Sequence, residues 1–515
     1  MTSTQPTTAS PDFARRYLSG DWQKRIIAVI VLALLGVSIW SQRINRSQGF
    51  LLDDALHLQH SYERNLEISP RDYLPGVISL RPVGRDAITI LLRVFGEREA
   101  PIIWTLLLIH VASSVLIWLS LYRLTSDWWA SLAGATFFLL SCSAYLVIYW
   151  PAAIFDLLST LFLAAILLSM TLILHPRGEY RPRLLLLTLP LLLAAVKSKE
   201  SAIIVVAPMF LMWLISNPQR HQTETGDTRF QPGDFVQRLR RTSRWEIVWG
   251  VLTVLLAVVL YMSVVSNFGA SDPADPYYSE YSPRVVGRSF GFYLAVLAFQ
   301  TDENNPVRAA TALALLAAPF VLAFLSRNRW LFFGWVWFVL FLLPLASFKN
   351  HYNNFYYPYP ANIGTALAVA ALFCIGGKLW ARSSPSLARA LRYALPFAFI
   401  SIVAWQSYSW LKFNSVPRWY DAYHARNVRI IRGLKAALPA PPPHAKIVLV
   451  IPEATQFEQD ASRVLKIIYH DFTLTGALFR ERKQAEAHLS QPTSGKTLLA
   501  VWDGVRFELQ DSSRR

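Results

Sequence analysis

Residues 101–122 read PIIWTLLLIHVASSVLIWLSLY, and none of them is Asp, Glu, Lys or Arg. A helix of about 20 apolar residues spans the hydrocarbon core of a bilayer, so this stretch predicts a transmembrane helix. About eleven stretches are apolar enough to span, and they cover residues 25–41, 101–122, 128–149, 151–174, 183–196, 201–216, 245–265, 308–326, 330–347, 361–377 and 393–411. The sequence therefore predicts an all-α, polytopic membrane protein.

The composition argues against a soluble enzyme. Of the 515 residues, 53% are hydrophobic and 16% are charged, whereas soluble domains have roughly 45–50% apolar and about 25% charged residues. The net charge of +17 would suit a nucleic-acid-binding protein, but the long apolar runs indicate that the basic excess reflects membrane topology. Both cysteines, Cys142 and Cys374, lie in apolar runs, which argues against a disulfide framework or a CxxC-type metal site.

Lysine and arginine are distributed unevenly between the connections. Lys24 and Arg25 precede the first apolar run, and no small-residue cleavage site follows, so this run is predicted to be a retained signal anchor. With a cytoplasmic N-terminus, about 20 basic residues fall in cytoplasmic segments and about 6 in the short outer connections. The C-terminus is then predicted to be extracytoplasmic.

This topology divides the chain into three predicted regions. They are a cytoplasmic tail at 1–24, a transmembrane domain at 25–411 with an outer catalytic loop at 42–100, and an extracytoplasmic domain at 412–515. The last region has a predicted strand at Lys446–Ile451, a helix at Ala461–Tyr469 and a hairpin turn at Asp503-Gly504. A small C-terminal α/β domain fits this pattern, and residues 217–244 are interpreted as a polar cytoplasmic loop.

The outer loop contains an adjacent pair of acidic residues, Asp53 and Asp54. Adjacent residues on a helix point about 100° apart, so at most one of the two is expected to face a shared cleft. The alternative is that the pair caps an interfacial helix. Asp54, His57, His60 and Glu63 also have helical spacing, but without a fourth clustered ligand a solvated helix face is favoured over a divalent metal site. The sequence thus supports no metal or other cofactor.

A second group of charges is Lys197-Ser198-Lys199-Glu200, which lies between two apolar arms. The arms reach only about 20–23 Å at 1.5 Å per residue, so the cluster is drawn towards the membrane. Ionisable groups there usually line a functional cavity, and Asp156 in the fourth span carries the same argument. The alternatives are a snorkelling turn for the lysines and helix capping behind Pro151 for Asp156.

An aromatic and amide-rich segment runs from Lys349 to Pro360 and includes His351, Tyr356 and Tyr357. Aromatic rings and amides suit the stacking and hydrogen bonding of sugars. An interfacial aromatic belt explains the tyrosines equally well.

In this order, the segments resemble the integral-membrane C-fold glycosyltransferases (GT-C). Those include the dolichyl-phosphate-mannose protein mannosyltransferases and the lipid A aminoarabinose transferases. The similarity covers roughly residues 25–375 and rests on the order and spacing of several motifs. They are Asp53-Asp54, Arg81-Pro82, Phe95-Gly96, His110, the segment Phe155–Phe162, Ser198–Ala202, and a Tyr-Tyr-Pro segment before Ile363-Gly364.

The resemblance implies transfer of a sugar from a polyprenyl-phosphate carrier to an acceptor hydroxyl on the outer face of a membrane, here a bacterial inner membrane. Asp53 or Asp54 would supply the base. The predicted substrate-binding residues are Arg81, Lys197 and Lys199 for the phosphate, with Glu200, Asp156, His351, Tyr356 and Tyr357 around them. Glu200 is expected to orient a lysine.

The chain departs from the most similar subgroup in two ways. Asn353-Asn354-Phe355 stands where Glu-Arg-Tyr is usual, so a family cation is absent unless His351 or Lys349 substitutes, and the tetratricopeptide tail is absent. The predicted partners are the lipid-linked sugar, membrane lipid, and an acceptor protein, lipid or glycan, but no nucleic acid. The alternative functions are a polysaccharide ligase or polymerase that uses a diphosphate-linked lipid, and a secondary transporter.

Overall fold

The computed structural model describes most of the chain. The described residues are 21–44, 54–77, 79, 81–175, 180–216, 232–265, 272, 275, 278–301, 309–350, 354–383, 385–453, 455–458, 460–489 and 496–511. Their α-helices in chain order are α1 (Asp21–Trp40), α2 (Asp54–Glu63), α3 (Pro82–Phe95), α4 (Glu99–Thr125), α5 (Trp128–Leu140), α6 (Ala144–Tyr149), α7 (Ile154–Leu174), α8 (Thr188–Ser198), α9 (Val206–Ile215), α10 (Pro232–Arg240), α11 (Arg244–Val265), α12 (Pro283–Leu297), α13 (Ala309–Ser326), α14 (Arg329–Ala346), α15 (Pro358–Ser383), α16 (Pro385–Phe413), α17 (Ser415–Ala437), α18 (Ala461–Tyr469) and α19 (Arg482–Leu489).

The chain is a multi-pass membrane protein, as the apolar runs predicted. In the described ranges, 7 helices are long and apolar enough to cross a membrane, and they are α1, α4, α7, α11, α14, α15 and α16. The other four predicted runs are helical as well. Three of them are interrupted: the run at 128–149 breaks between α5 and α6, and 3₁₀ turns at Pro182–Leu187 and Glu200–Val205 precede α8 and α9.

The break between α5 and α6 is held by buried polar side chains. The Asn362 amide donates hydrogen bonds to the Ser141 and Ser143 hydroxyls at 3.0 and 2.8 Å. Nearby, the His110 ring nitrogens lie 2.8 Å from the Tyr359 hydroxyl and 2.9 Å from the Leu139 carbonyl. Where a helix ends inside the membrane, side chains must hydrogen-bond to backbone groups such as the Leu139 carbonyl, because the hydrocarbon core offers no water. His110 therefore stabilises the helix break.

Helices α14 and α15 cross at two glycines. A Cβ added to Gly334 would lie 2.5 Å from the Gly364 carbonyl oxygen and 3.0 Å from the Ala368 nitrogen. Small residues at such crossings let helix backbones approach closely. The residues at 334 and 364 thus fix how closely α15, which follows the aromatic segment, packs in the bundle.

We expect Gly334→Ala to destabilise the protein by about 1–3 kcal/mol, because backbone atoms cannot move aside as a flexible side chain would. The measurement is the melting temperature of the purified protein in detergent. Gly377→Ala on α15 is the matched control, since nothing lies within 4 Å of its added Cβ. Equal melting temperatures for the two variants would show that the crossing tolerates a methyl group.

The C-terminal α/β unit contains a four-stranded sheet of order β2-β1-β3-β4, in which β4 alone is antiparallel. The strands are β1 (Lys446–Val450), β2 (Thr475–Phe479), β3 (Thr497–Trp502) and β4 (Phe507–Asp511). Helices α17 and α18 cover one face, with Ile430, Leu434 and Leu465 in the shared core. At the predicted hairpin turn, Gly504 has a φ of 102°, a conformation that favours glycine.

Candidate active site

The backbone of Arg81, a candidate phosphate ligand, has a strained conformation. Its φ of 48° and ψ of 51° are left-handed, a region that few non-glycine residues adopt, and the following Pro82 disfavours a right-handed helical conformation. The Arg81 guanidinium carbon lies 5.4 Å from the centre of the Phe155 ring. A Cβ on Gly84 would clash with that ring, so glycine at 84 lets α3 pack directly against the start of α7.

Arg81 forms a bidentate ion pair with Glu200. The Nε–Oε2 and Nη2–Oε1 distances are 2.8 and 2.5 Å. We expected Glu200 to orient a lysine. Instead, its carboxylate accepts both of these hydrogen bonds from Arg81. Two parallel hydrogen bonds fix the plane of the guanidinium.

Lys199 pairs with Asp156 across the same site. Its Nζ lies 2.5 Å from Asp156 Oδ1 and 5.8 Å from the centre of the Tyr356 ring. Asp156 lies in the first turn of α7, and its carboxylate accepts a hydrogen bond from Lys199. Tyr356 is half-buried, whereas Tyr357 is buried with its ring 6.4 Å from that of Phe348.

Lys197 is the most deeply buried of the three candidate cations, with 5% of its surface exposed. Its Nζ donates a hydrogen bond of 2.8 Å to the Val77 carbonyl. Within the part of the chain that the structure describes, it forms no ion pair with a carboxylate. A buried charge without an ionic partner is costly, which makes this ammonium group suited to an incoming anion.

A network that the sequence analysis missed shapes the segment next to Arg81, before α3. Arg85 Nη2 lies 2.5 Å from Asp72 Oδ2, and its Nε lies 3.3 Å from Asp86 Oδ1. The Tyr73 hydroxyl donates to the other oxygen of Asp86 at 2.8 Å. Charges of opposite sign in one short loop were the only signal in the sequence. The network holds the turn at Pro70–Tyr73 against α3.

Helix α2 begins at Asp54, the second residue of the acidic pair. Asp53, like His351, lies outside the described residues, as does the side chain of Asp54. His57, one turn along α2, packs against Phe155 at a ring distance of 4.6 Å. Burial and the charge of Arg81 lower the pKa of His57 to about 3, so this ring is neutral and a weak base at neutral pH.

An apolar pocket opens beside these groups. His57 and Leu92 line it together with Ile102 and Pro151, so it lies between α2, α3 and the start of α4. Among the described residues, no three His, Cys, Asp or Glu side chains are arranged to hold a metal ion.

The C-terminal unit contacts α2 directly. Arg463 Nε donates to Gln59 Oε1 at 3.1 Å, and His470 Nε2 lies 3.3 Å from Glu97 Oε1. The Tyr62 hydroxyl donates to the same carboxylate at 3.0 Å. Ile467 packs in the core of the transmembrane domain. No sequence pattern indicated this contact, because its partners are far apart in the chain: Arg463 and Gln59 are separated by 404 residues.

Comparison with known proteins supports the resemblance. Residues 81–226 match the family model described as dolichyl-phosphate-mannose-protein mannosyltransferase, and this segment contains Arg81, Asp156 and the Lys197–Glu200 cluster. A search of curated protein sequences gives no significant match.

Two solved structures share the overall fold. ArnT from Cupriavidus metallidurans bound to undecaprenyl phosphate is 10% identical, with a TM-score of 0.52 over 92% of this chain and 93% of ArnT. The apo state of the same protein is 11% identical, with a TM-score of 0.51 over 94% of each chain. As the motifs predicted, the chain therefore has the fold of the C-fold glycosyltransferases, and residues 81–226 match the model of one of their families.

Proposed function

We propose that this protein transfers a sugar from a polyprenyl-phosphate-linked donor to an acceptor hydroxyl on the outer face of the membrane. The observation that carries the proposal is the position of Arg81, Lys197 and Lys199, which project from two neighbouring elements. A carrier lipid needs cations of this kind for its phosphate. That ArnT has been solved with undecaprenyl phosphate supports the same ligand class.

In the proposed reaction, the acceptor oxygen attacks the anomeric carbon of the donor. The bond between that carbon and the phosphate oxygen breaks, and polyprenyl phosphate leaves with the bonding electrons. Asp53 or Asp54 takes the acceptor proton. The cations stabilise the charge that develops on the departing phosphate, which is the main contribution expected from fixed charges in such a site.

Lys197 is the primary phosphate ligand in this proposal, because its ammonium group donates a hydrogen bond to a neutral carbonyl and not to a carboxylate. Glu200 and Asp156 hold Arg81 and Lys199 while the donor is absent, and the donor phosphate competes with these carboxylates for the two cations. A planar guanidinium suits phosphate as well as carboxylate, so Arg81 can exchange one for the other.

The sugar subsite in this proposal includes Tyr356 and His351. Tyr356 is half-buried and its ring centre lies 5.8 Å from Lys199 Nζ, so a sugar next to the phosphate would lie near this ring. Lys349 is less suited to replace the absent family cation, because its Nζ lies 3.1 Å from Glu280 Oε2. Tyr357 is buried and would support Tyr356 from behind.

The proposed orientation has a cytoplasmic N-terminus in a bacterial inner membrane and an extracytoplasmic C-terminal domain. We expect phosphatase fusions after residues 60, 350 and 420 to be active and fusions after 230 and 385 to be inactive, because the basic connections stay in the cytoplasm. An inactive fusion after residue 60 would put the acidic pair in the cytoplasm and rule out the outer-face reaction.

We further propose that the C-terminal domain positions α2, the helix that begins at Asp54. We expect Arg463→Ala to raise amide hydrogen exchange in residues 54–63 by roughly two- to tenfold, the range that corresponds to one lost hydrogen bond. Gln59→Ala should have the same effect, and the double variant should add little to it. Arg506→Ala is the control, since Arg506 pairs with Asp503 in its own hairpin. Unchanged exchange in all variants would contradict the proposed contact.

The direct test of the function is a transfer assay with the purified protein and a panel of synthetic polyprenyl-phosphate sugars, with release of polyprenyl phosphate as the readout. Release that depends on an acceptor supports the proposal. Activity with diphosphate-linked lipids alone would favour the ligase or polymerase.

A further inference from the structure

A buried ion pair lies at the opposite end of the transmembrane domain from the candidate active site. Glu246, in the first turn of α11, is 2% exposed, and Arg238 on α10 is 6% exposed. The two side chains form an ion pair. Glu246 Oε1 also accepts hydrogen bonds from the Tyr180 hydroxyl at 2.5 Å and from Trp213 Nε1 at 3.0 Å. The Arg238 guanidinium carbon lies 4.9 Å from the centre of the Trp213 ring.

This ion pair joins segments that the sequence analysis treated as separate. It docks α10, which lies inside the predicted polar loop at 217–244, against the start of α11. It also brings the segment after Tyr180 to the same place. A buried carboxylate with this many donors is fully compensated, and its charge is balanced by Arg238, so the pair leaves no net negative charge for the surrounding surface.

The surface around the ion pair carries both arginines and exposed apolar side chains. Arg183, Arg240 and Arg244 are exposed, and we call these three residues the arginine patch. Exposed apolar side chains lie on the same elements as these arginines: Leu187 at 59% with Arg183, Val236 at 50% and Leu239 at 48% with Arg240, and Trp245 at 39% next to Arg244. The patch is located where α11 begins, which is where a spanning helix meets the lipid headgroups.

We propose that the arginine patch binds the headgroup of an anionic phospholipid, with Leu187, Val236, Leu239 and Trp245 against its acyl chains. Guanidinium groups bind phosphate oxygens in a bidentate manner, and basic residues beside a spanning helix attract anionic lipids. The exposed apolar side chains favour a lipid over a free phosphate or an acidic protein, because acyl chains would cover them. The lipid would belong to the cytoplasmic leaflet, a detail that rests on the proposed topology.

The test uses the full-length protein in detergent, titrated with phosphatidylglycerol or phosphatidylcholine and followed by native mass spectrometry. We expect the protein to bind phosphatidylglycerol more tightly than phosphatidylcholine. The triple variant Arg183→Gln, Arg240→Gln, Arg244→Gln should lose about tenfold or more of that preference, since each arginine near a membrane surface contributes.

The matched control removes three exposed arginines from the C-terminal domain, as Arg429→Gln, Arg432→Gln, Arg506→Gln, and should keep the wild-type preference. A preference that survives in the first triple variant would overturn the proposal, as would equal binding of the two lipids by the wild type. Displacement of the lipid by inorganic phosphate at equal concentration would instead identify a simple anion site. None of these measurements depends on sugar transfer, so they test the lipid site independently of the proposed enzyme activity.

Discussion

Replacing Asp53 or Asp54 by Asn should reduce sugar transfer by about 100-fold or more in one of the two variants, the contribution typical of a positioned general base. Asn keeps the size and polarity of the side chain but accepts no proton at neutral pH. The two variants should differ strongly, because adjacent helical positions point in different directions. Transfer is measured with purified protein at matched concentration.

Glu63→Gln is the control for this experiment. It removes a carboxylate from the other end of α2, where Glu63 is 41% exposed and accepts from Gln59, and it should keep near-full activity. The rate should fall at acid pH as the Asp carboxylate protonates, and His57, with its pKa lowered to about 3, would not contribute to that fall. Near-full activity in both Asp variants would show that the pair only caps the helix.

Lys197→Gln should weaken binding of undecaprenyl phosphate by roughly 10- to 100-fold, because the phosphate loses a charge-assisted hydrogen bond of about 1.5–3 kcal/mol. Glu200→Gln should not weaken this binding. We expect its affinity for the lipid to equal or exceed that of the wild type, because the phosphate then has no carboxylate to displace from Arg81. Binding is measured for the purified protein in detergent.

Three further variants complete this comparison. Arg81→Lys keeps the charge but loses the planar fork, so a partial loss would indicate bidentate phosphate contact. Lys199→Gln should also weaken binding, while Lys349→Gln, whose lysine is exposed and paired with Glu280, should not. Unchanged affinity in the Lys197, Arg81 and Lys199 variants together would leave these residues as packing or topology residues and would favour a transporter.

The sequence by itself determined the class of fold and the positions of the apolar helical runs. Each spanning helix satisfies its own backbone hydrogen bonds and is apolar over about 20 residues, so the signal is local and survives without knowledge of neighbours. The same applies to the strand and helix of the C-terminal unit, which begin at Lys446 and Ala461 as predicted. Asp156 and the Lys197–Glu200 cluster were visible because charges within or between apolar runs are rare, whereas Arg81 was found through the family resemblance.

Only the tertiary structure decided which of these charges meet. Arg81 and Glu200 are 119 residues apart in the chain, and Lys199 and Asp156 are 43 apart. The sequence around Glu200 does not show whether its partner is Arg81 or a lysine, because either cation would balance its negative charge. The choice follows from the packing of α3 on α7, where Gly84 brings Arg81 against Phe155. The docking of Arg463 on Gln59 likewise depends on side-chain contacts between distant elements, which no periodicity in the sequence encodes.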